Sequence, residues 1–237
     1  MKMKASLFVA AATLTISTSL YAQKKDALEP TAQLRVGLNL ANISTTDGGS
    51  VDKANMLTSF NAGIIGDVPL SSSISLQPGI IFTGKGSQAE SGSPSSINYV
   101  KETFNPYYIE VPVNLTLKAP IGKATSFYIG AGPYAAMGIG GKNKIEGKTL
   151  GASFKGESDI DFSNDDPTTT NQEEDAGFGK LKRFDYGLNG TAGIEGKTIV
   201  LGLGYGYGLA KIASGSNSNA DDKNKHRVLS FTIGIKL

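Results

Sequence analysis

Apolar and polar residues alternate along this chain with a period of two, which predicts strands with one apolar and one polar face. Eight stretches carry the pattern. The first, about Gln33 to Asn42, sets Leu34, Val36, Leu38 and Leu40 against Arg35, Gly37, Asn39 and Ala41. The second runs about Thr58 to Pro69, the third Ile74 to Lys85, and the fourth Tyr107 to Lys118. The fifth presents Phe127, Ile129, Ala131, Ala135, Met137 and Ile139 opposite Tyr128, Gly130, Gly132, Tyr134 and Gly138. In the sixth, Phe184, Tyr186, Leu188, Ala192 and Ile194 oppose Asp185, Gly187, Asn189, Thr191 and Glu195. The seventh sets Ile199, Leu201, Leu203, Tyr205, Tyr207 and Leu209 against Gly202, Gly204, Gly206 and Gly208, and the eighth ends the chain with Leu229, Phe231, Ile233, Ile235 and Leu237 on its apolar side. Each stretch is about nine residues or more, the length a tilted strand needs to cross a bilayer.

The connections alternate in length. Strands two and three are joined by Leu70 to Ser73, four and five by Ala119 to Thr125, and six and seven by Gly196 and Lys197, all short enough for turns. The remaining connections, around Ile43 to Leu57, Gly86 to Asn105, Gly141 to Arg183 and Ala213 to Lys225, are long and polar. The expected fold is therefore all-β: an eight-stranded antiparallel up-and-down transmembrane β-barrel with short periplasmic turns and long extracellular loops. A soluble periplasmic barrel of lipocalin type, holding a ligand in its lumen, is the competing architecture. It would turn its apolar residues inward and expose charge, whereas the apolar faces here carry no Lys, Arg, Asp or Glu and the polar faces are crowded with small residues.

The N-terminus begins with Lys2 and Lys4, continues through the mostly apolar Ala5 to Ile16, and exits through Ser17 to Ala22, the three parts of a cleaved signal peptide spanning residues 1–22. Residues 23–32 then form a short periplasmic N-terminal segment, and 33–237 the barrel. No later stretch is apolar enough for a transmembrane helix. The chain holds 23 basic and 21 acidic residues; loss of Lys2 and Lys4 leaves 21 of each, which gives no electrostatic basis for nucleic-acid binding. Absence of Cys removes disulfides, thiolate metal sites and cysteine nucleophiles, and His226 is the one histidine.

Charges on the polar faces fall at two heights. Arg35, Asp67, Lys118 and Glu195 lie near the periplasmic ends of their strands, and Lys85, Glu110, Asp185 and Arg227 in the upper half. Each level has two cations and two anions, so two lumenal ion clusters that plug the barrel are expected, with solvation at the rims as the alternative for Lys85, Lys118 and Arg227. Tyr107, Phe127, Phe184, Tyr186, Tyr205 and Tyr207 stand near strand ends and are expected to form the membrane-interface aromatics in a chain without Trp. Tyr128 and Tyr134 face inward in the same register.

The segments LRVGLNLANIS (Leu34 to Ser44), FNAGIIGDVPLSSSISLQPGIIFTGKG (Phe60 to Gly86), YYIEVPVNLTLK (Tyr107 to Lys118), FYIGAGPYAAMGIGGK (Phe127 to Lys142) and FDYGLNGTAGIE (Phe184 to Glu195) resemble the PorT-like outer-membrane beta-barrel family of Bacteroidetes bacteria. The resemblance covers nearly all of the chain beyond the signal, missing mainly the long loops. It implies a small outer-membrane barrel; few members of that family are tied to type IX protein secretion, and no catalytic residues come with it. The chain ends in Leu237, where outer-membrane barrels commonly have an aromatic residue.

Several local patterns read as structure. EGKT at Glu146 to Thr149 lacks the earlier glycine of a phosphate loop, Lys142 standing there, and is expected to be loop. GLGYGYG (Gly202 to Gly208) sits inside a strand with no helix after it and is expected to line the barrel interior. The acidic run of Glu157, Asp159, Asp161, Asp165, Asp166, Glu173, Glu174 and Asp175 lacks the glycine and final ligand of a calcium loop, with Asn164 and Thr170 at those positions, and is expected to be a solvated loop. His226, with Ser214, Ser216 and Asp222 nearby only in a loop, is expected to be a rim histidine and not a catalytic base, so neither enzymatic activity nor a cofactor is expected. The functional expectation is a structural or interaction barrel acting through its long loops, above all Gly141 to Arg183. A narrow, porin-like pore and a PorT-like accessory of secretion are the alternatives. Outer-membrane lipid and other envelope or secretion proteins are the expected partners.

Overall fold

The computed structural model describes residues 29–44, 56–163, 181–212 and 225–237, and every regular element among them is a strand. The expected signal segment and most of the expected 23–32 segment lie outside the described residues. In chain order the strands are β1 Thr31–Ser44, β2 Leu57–Pro69, β3 Ile74–Gly84, β4 Ser87–Gly92, β5 Tyr99–Pro120, β6 Ser126–Thr149, β7 Ala152–Asp159, β8 Phe162–Ser163, β9 Leu181–Lys182, β10 Phe184–Glu195, β11 Ile199–Gly208 and β12 Lys225–Lys236. The eight alternating stretches are β1, β2, β3, β5, β6, β10, β11 and β12.

Each of these eight pairs antiparallel with its two neighbours in chain order, and β12 returns to β1 with Gln33 opposite Lys236 and Ser44 opposite Lys225. The ladder therefore comes back to its start, and each of the eight has hydrogen-bonding partners along both edges, as a polypeptide in lipid requires. Polarity is inverted relative to a water-soluble fold. Leu38 is 60% exposed and Ile80 62%, while Gln33, Asn39, Gln77 and Thr116 are at most 1% exposed. This orientation of the apolar faces excludes the lipocalin-type alternative, in which they would surround a ligand.

A narrow ring leaves little room inside, and large inward side chains fit where a neighbouring strand has glycine. Tyr128 leans over Gly193, its direct partner on the neighbouring strand β10, where a Cβ would stand 2.7 Å from its ring and hydroxyl. At the long-loop end the Phe162 ring occupies the space a side chain on Gly138 would need.

Two of the expected loops are partly sheet. β5 and β6 run for 22 and 24 residues, about twice the bilayer requirement of roughly 9 to 11. Past a register shift at Tyr107/Tyr108 they stay paired up to Tyr99 and Lys148, and β4 and β7 add to their outer edges. The result is a four-stranded blade in the order β4-β5-β6-β7 rising from the ring. EGKT is thus strand and not loop. The blade escaped the apolar count because its alternation is charged against small or apolar: Lys142, Lys144, Glu146 and Lys148 occupy one face of β6, and Asn143, Ile145 and Gly147 the other. Both faces meet water, so period two survives without a continuous apolar face.

Candidate functional site

Two ion networks divide the lumen. At the short-turn end Lys118 pairs with Asp67 and, at 3.1 Å, with Glu195, while Lys236 Nζ donates to Glu195 Oε1 at 2.6 Å. Gln77 donates to the other oxygen of Asp67. Asp67, Lys118 and Glu195 thus meet as expected. Arg35 does not join them: it donates twice to Gln33 Oε1, at 2.6 and 2.9 Å, and its guanidinium lies over the Tyr128 ring. Lys236 takes the second cationic place. Alternation puts Lys236 on the polar face of the last strand with Ser230, Thr232 and Gly234, but its place beside Glu195 follows from the pairing that sets it opposite Gln33.

Toward the long-loop end Lys85 is 3% exposed and sits 2.7 Å from Glu110 and 2.9 Å from Asp185. Tyr134 donates its hydroxyl to Asp185 at 3.1 Å, Asn189 donates to Glu110 at 3.0 Å, and the Lys85 ammonium lies 4.1 Å from the centre of the Tyr134 ring. Lys85 is therefore a buried hub and not a rim charge. Arg227, the fourth expected member, is absent from this network. It lies opposite Tyr207, on the β12 side that also carries Leu229 and Phe231, with its guanidinium 3.6 Å from the ring centre and donating to the carbonyls of Gly208 and His226. Strict alternation places 227 with 229 and 231, away from the lumen. The same parity turns His226 inward, where it is 1% exposed with Nε2 3.3 Å from the Tyr108 hydroxyl. It is a core histidine and not a rim one; Ser214, Ser216 and Asp222 lie outside the described residues.

Between the two networks lies a chamber of about 110 Å³, lined by Arg35, Asn39, Asn61, Gln77, Asn114, Thr191 and Ser230 among others. Above the upper network Tyr108, Tyr134, Ala136 and Phe162 form an apolar layer, followed by Ile160, Leu181 and Ile212 with Ile43 and Phe104 around them. This second layer comes from the chain between the strands. Ile160 N donates to Gly141 O, Lys182 N to Ile212 O, and Gly138 N to Arg183 O, so the pieces are fastened to one another and to β6. The plug is thus ionic below and apolar above. Its upper layer, with β8 and β9, could not be read from strand alternation because these residues are isolated apolar positions in polar sequence.

The outward surface carries Tyr107, Phe184, Tyr186, Tyr205 and Tyr207 toward the long-loop end, together with Phe60 and Phe82, which the aromatic set above omits. Phe82 stacks on both Phe60 and Tyr107 at 5.4 Å. Phe127 stands at the short-turn end of β6. Tyr128 and Tyr134 point inward as expected, 0% and 5% exposed.

On the blade, side chains directly opposite one another share a face. The outer face is a charge ladder: Lys101 pairs with Glu90 at 3.3 Å, Lys142 with Asp159 at 2.7 Å and with Glu157 at 3.2 Å, and Lys144 with Glu157 at 3.1 Å. Hydrogen bonds from Lys144 and Lys142 hold the exposed Glu157 carboxyl below its ordinary range. Glu157 and Asp159 of the acidic run are thus strand residues paired with lysines; Asp165, Asp166, Glu173, Glu174 and Asp175 lie outside the described residues. The inner face carries Val100, Ile145 and Phe154, and the tip carries Ile97 at 66% and Leu150 at 84% exposure.

The chain matches the family described as "Outer membrane protein beta-barrel domain" over residues 21–214. No curated protein matches it. Similar solved structures include Ail, the attachment invasion locus protein of Yersinia pestis, solved in complex with the heparin analogue sucrose octasulfate, at 15% identity and TM-score 0.38, over 89% of this chain and 100% of that one. Neisserial surface protein A gives 9% identity and TM-score 0.41 over 89% and 99%, and OprG of Pseudomonas aeruginosa gives 14% and 0.40 over 89% and 97%.

Proposed function

The chain belongs to the outer membrane protein beta-barrel domain family and is an outer-membrane protein; from that premise we propose that its lumen is closed and that it acts through the blade it raises above the membrane. The short turns face the periplasm and the blade faces outside, the arrangement general to bacterial outer-membrane barrels. Outer-leaflet lipid surrounds the apolar faces, and the aromatic band around Phe60, Phe82, Tyr107, Tyr186 and Tyr207 marks the outer interface. The observation that carries the closed-lumen reading is the layering of the interior: an ion network, the 110 Å³ chamber, a second network and then apolar side chains. The reading is non-enzymatic: His226 and Tyr108 meet at 3.3 Å within the packed interior, each 1% exposed, and neither is open to a substrate.

The chamber is the feature that favours a second reading, a narrow pore, because it is polar and has the volume for several waters. Planar-bilayer recording separates the two. The refolded protein is expected to give no conducting steps under voltages that leave the bilayer intact; sustained unit openings would overturn the closed lumen. The finer resemblance to PorT-like proteins implies a third role, in type IX secretion. If it holds, deletion of the gene stops export of secreted cargo and the full-length gene restores it.

A further inference from the structure

β7 ends the blade, and among the described residues its outer edge pairs with no strand. The turn before it shows which backbone groups are free. Leu150 and Gly151 have φ of 50° and 83°, and Thr149 lies opposite Ala152, so this is a two-residue turn of the type that closes twisted hairpins. In such a hairpin the flanking residues exchange both their hydrogen bonds. Alternation then aims the N–H and C=O of Ala152, Phe154, Gly156 and Ser158 at β6, and those of Ser153, Lys155, Glu157 and Asp159 away from it. The bond from Ile160 N to Gly141 O continues the first series. Four consecutive outward positions therefore present donors and acceptors that pair with no other strand among the described residues.

Sheet edges in soluble proteins are commonly protected by proline, by bulges, by brevity or by charged side chains, Lys especially. β7 is eight residues long, contains no proline and pairs with β6 in unbroken register; its charges, Lys155, Glu157 and Asp159, lie on one face and are engaged by Glu146, Lys142 and Lys144 of β6. Ala152, Ser153, Gly156 and Ser158 keep it low, so a second backbone can approach. The other end of the blade differs, since β4 has six residues and lies against β1.

We propose that the outer edge of β7 is a docking site for an extended segment of another polypeptide, which adds to the blade as a fifth strand. This deepens the interaction role proposed above and rests on it. The chemistry of the occupant follows from the edge. An extended polypeptide backbone supplies alternating acceptors and donors at the strand spacing. Its side chains on the outer face should place an acid opposite Lys155 and bases opposite Glu157 and Asp159, and those on the inner face should be small or apolar near Phe154. A second copy in the same membrane does not meet the requirement. A symmetry axis along the membrane normal preserves the downward direction of a tilted β7 in both copies, so two β7 strands could meet only in parallel, with like charges level, Lys155 with Lys155 and Glu157 with Glu157.

β6 already satisfies this pattern from the other side, with Glu146 opposite Lys155, Lys144 opposite Glu157 and Lys142 opposite Asp159. A labelled synthetic peptide copying Lys142 to Thr149 is therefore the probe, titrated against the full-length protein folded in detergent and followed by fluorescence anisotropy. Saturable binding is expected, weakened at least tenfold by Lys155→Pro combined with Glu157→Pro, which removes outward donors without touching the bonds to β6. Lys155→Glu, which keeps the backbone intact, is expected to weaken binding of the same peptide by opposing its glutamate. In hydrogen exchange the peptide should slow the amides of Ser153, Lys155, Glu157 and Asp159. Equal binding by the proline variant, failure of the peptide to bind, or unchanged exchange at those amides under saturating peptide would overturn the edge. A protein that ignores the peptide yet conducts no ions loses the edge and keeps the closed lumen; one that conducts loses the closed lumen whatever the peptide does.

Discussion

Lys85 holds two carboxylates apart inside the lumen, and its removal would leave Glu110 and Asp185 facing each other without a cation. Truncating one partner of a buried ion group typically costs roughly 3 to 5 kcal/mol. Lys85→Met is therefore expected to lower markedly the temperature at which the folded gel band converts to the unfolded one, and adding Glu110→Gln and Asp185→Asn should recover much of the loss. An unchanged transition in Lys85→Met would show that the network carries no stability. The sequence revealed the membership of Lys85, Glu110 and Asp185 because charge on a polar face of an otherwise apolar strand must find a partner. It misplaced Arg227, whose parity belongs to the outer face, and missed Lys236, whose role depends on the β1–β12 pairing that joins the two ends of the chain.

Among the elements, the β6–β7 hairpin departs most from sequence habit. Its turn places Leu150 at a φ of 50°, a region that costs an ordinary L-residue about 1 to 2 kcal/mol and that Asn occupies readily. Leu150→Asn is expected to stabilise the hairpin by about 1 kcal/mol, read as slower exchange of the Phe154 and Ser158 amides; faster exchange would mean that the leucine side chain contributes contacts exceeding the backbone strain. The strands within the ring were legible one by one, since each has an unbroken apolar face. The blade strands were not, because in water neither face needs to be apolar, and the extension of β5 and β6 beyond Tyr107 and Ile139 shows only in their mutual pairing.

At the scale of the whole molecule the proposed function rests on the asymmetry of the two ends. One end has three short turns and the lower ion network; the other has the plug, most of the outward aromatics and the blade. A chain without Cys allows a direct test of which way it sits. On intact cells a membrane-impermeant maleimide is expected to label Leu150→Cys and to leave Lys197→Cys unlabelled until the outer membrane is opened. Labelling of Lys197→Cys first would reverse the orientation and put the blade in the periplasm.

By itself the sequence determined that the protein is built of eight two-faced strands, that their apolar faces form one continuous set, and where the short turns fall, because period two and turn length are local properties of the chain. Only the tertiary structure decided the full membership of the two ion networks, what caps the lumen and that two connections continue as sheet. Those depend on pairings between residues far apart, such as Lys85 with Asp185, Phe162 with Gly138 and Lys101 with Glu146. Position along a strand gives a residue's height, but closure of the ring and side-chain parity decide which residues at one height come within reach, as with Lys236 beside Glu195 and Arg227 away from Asp185.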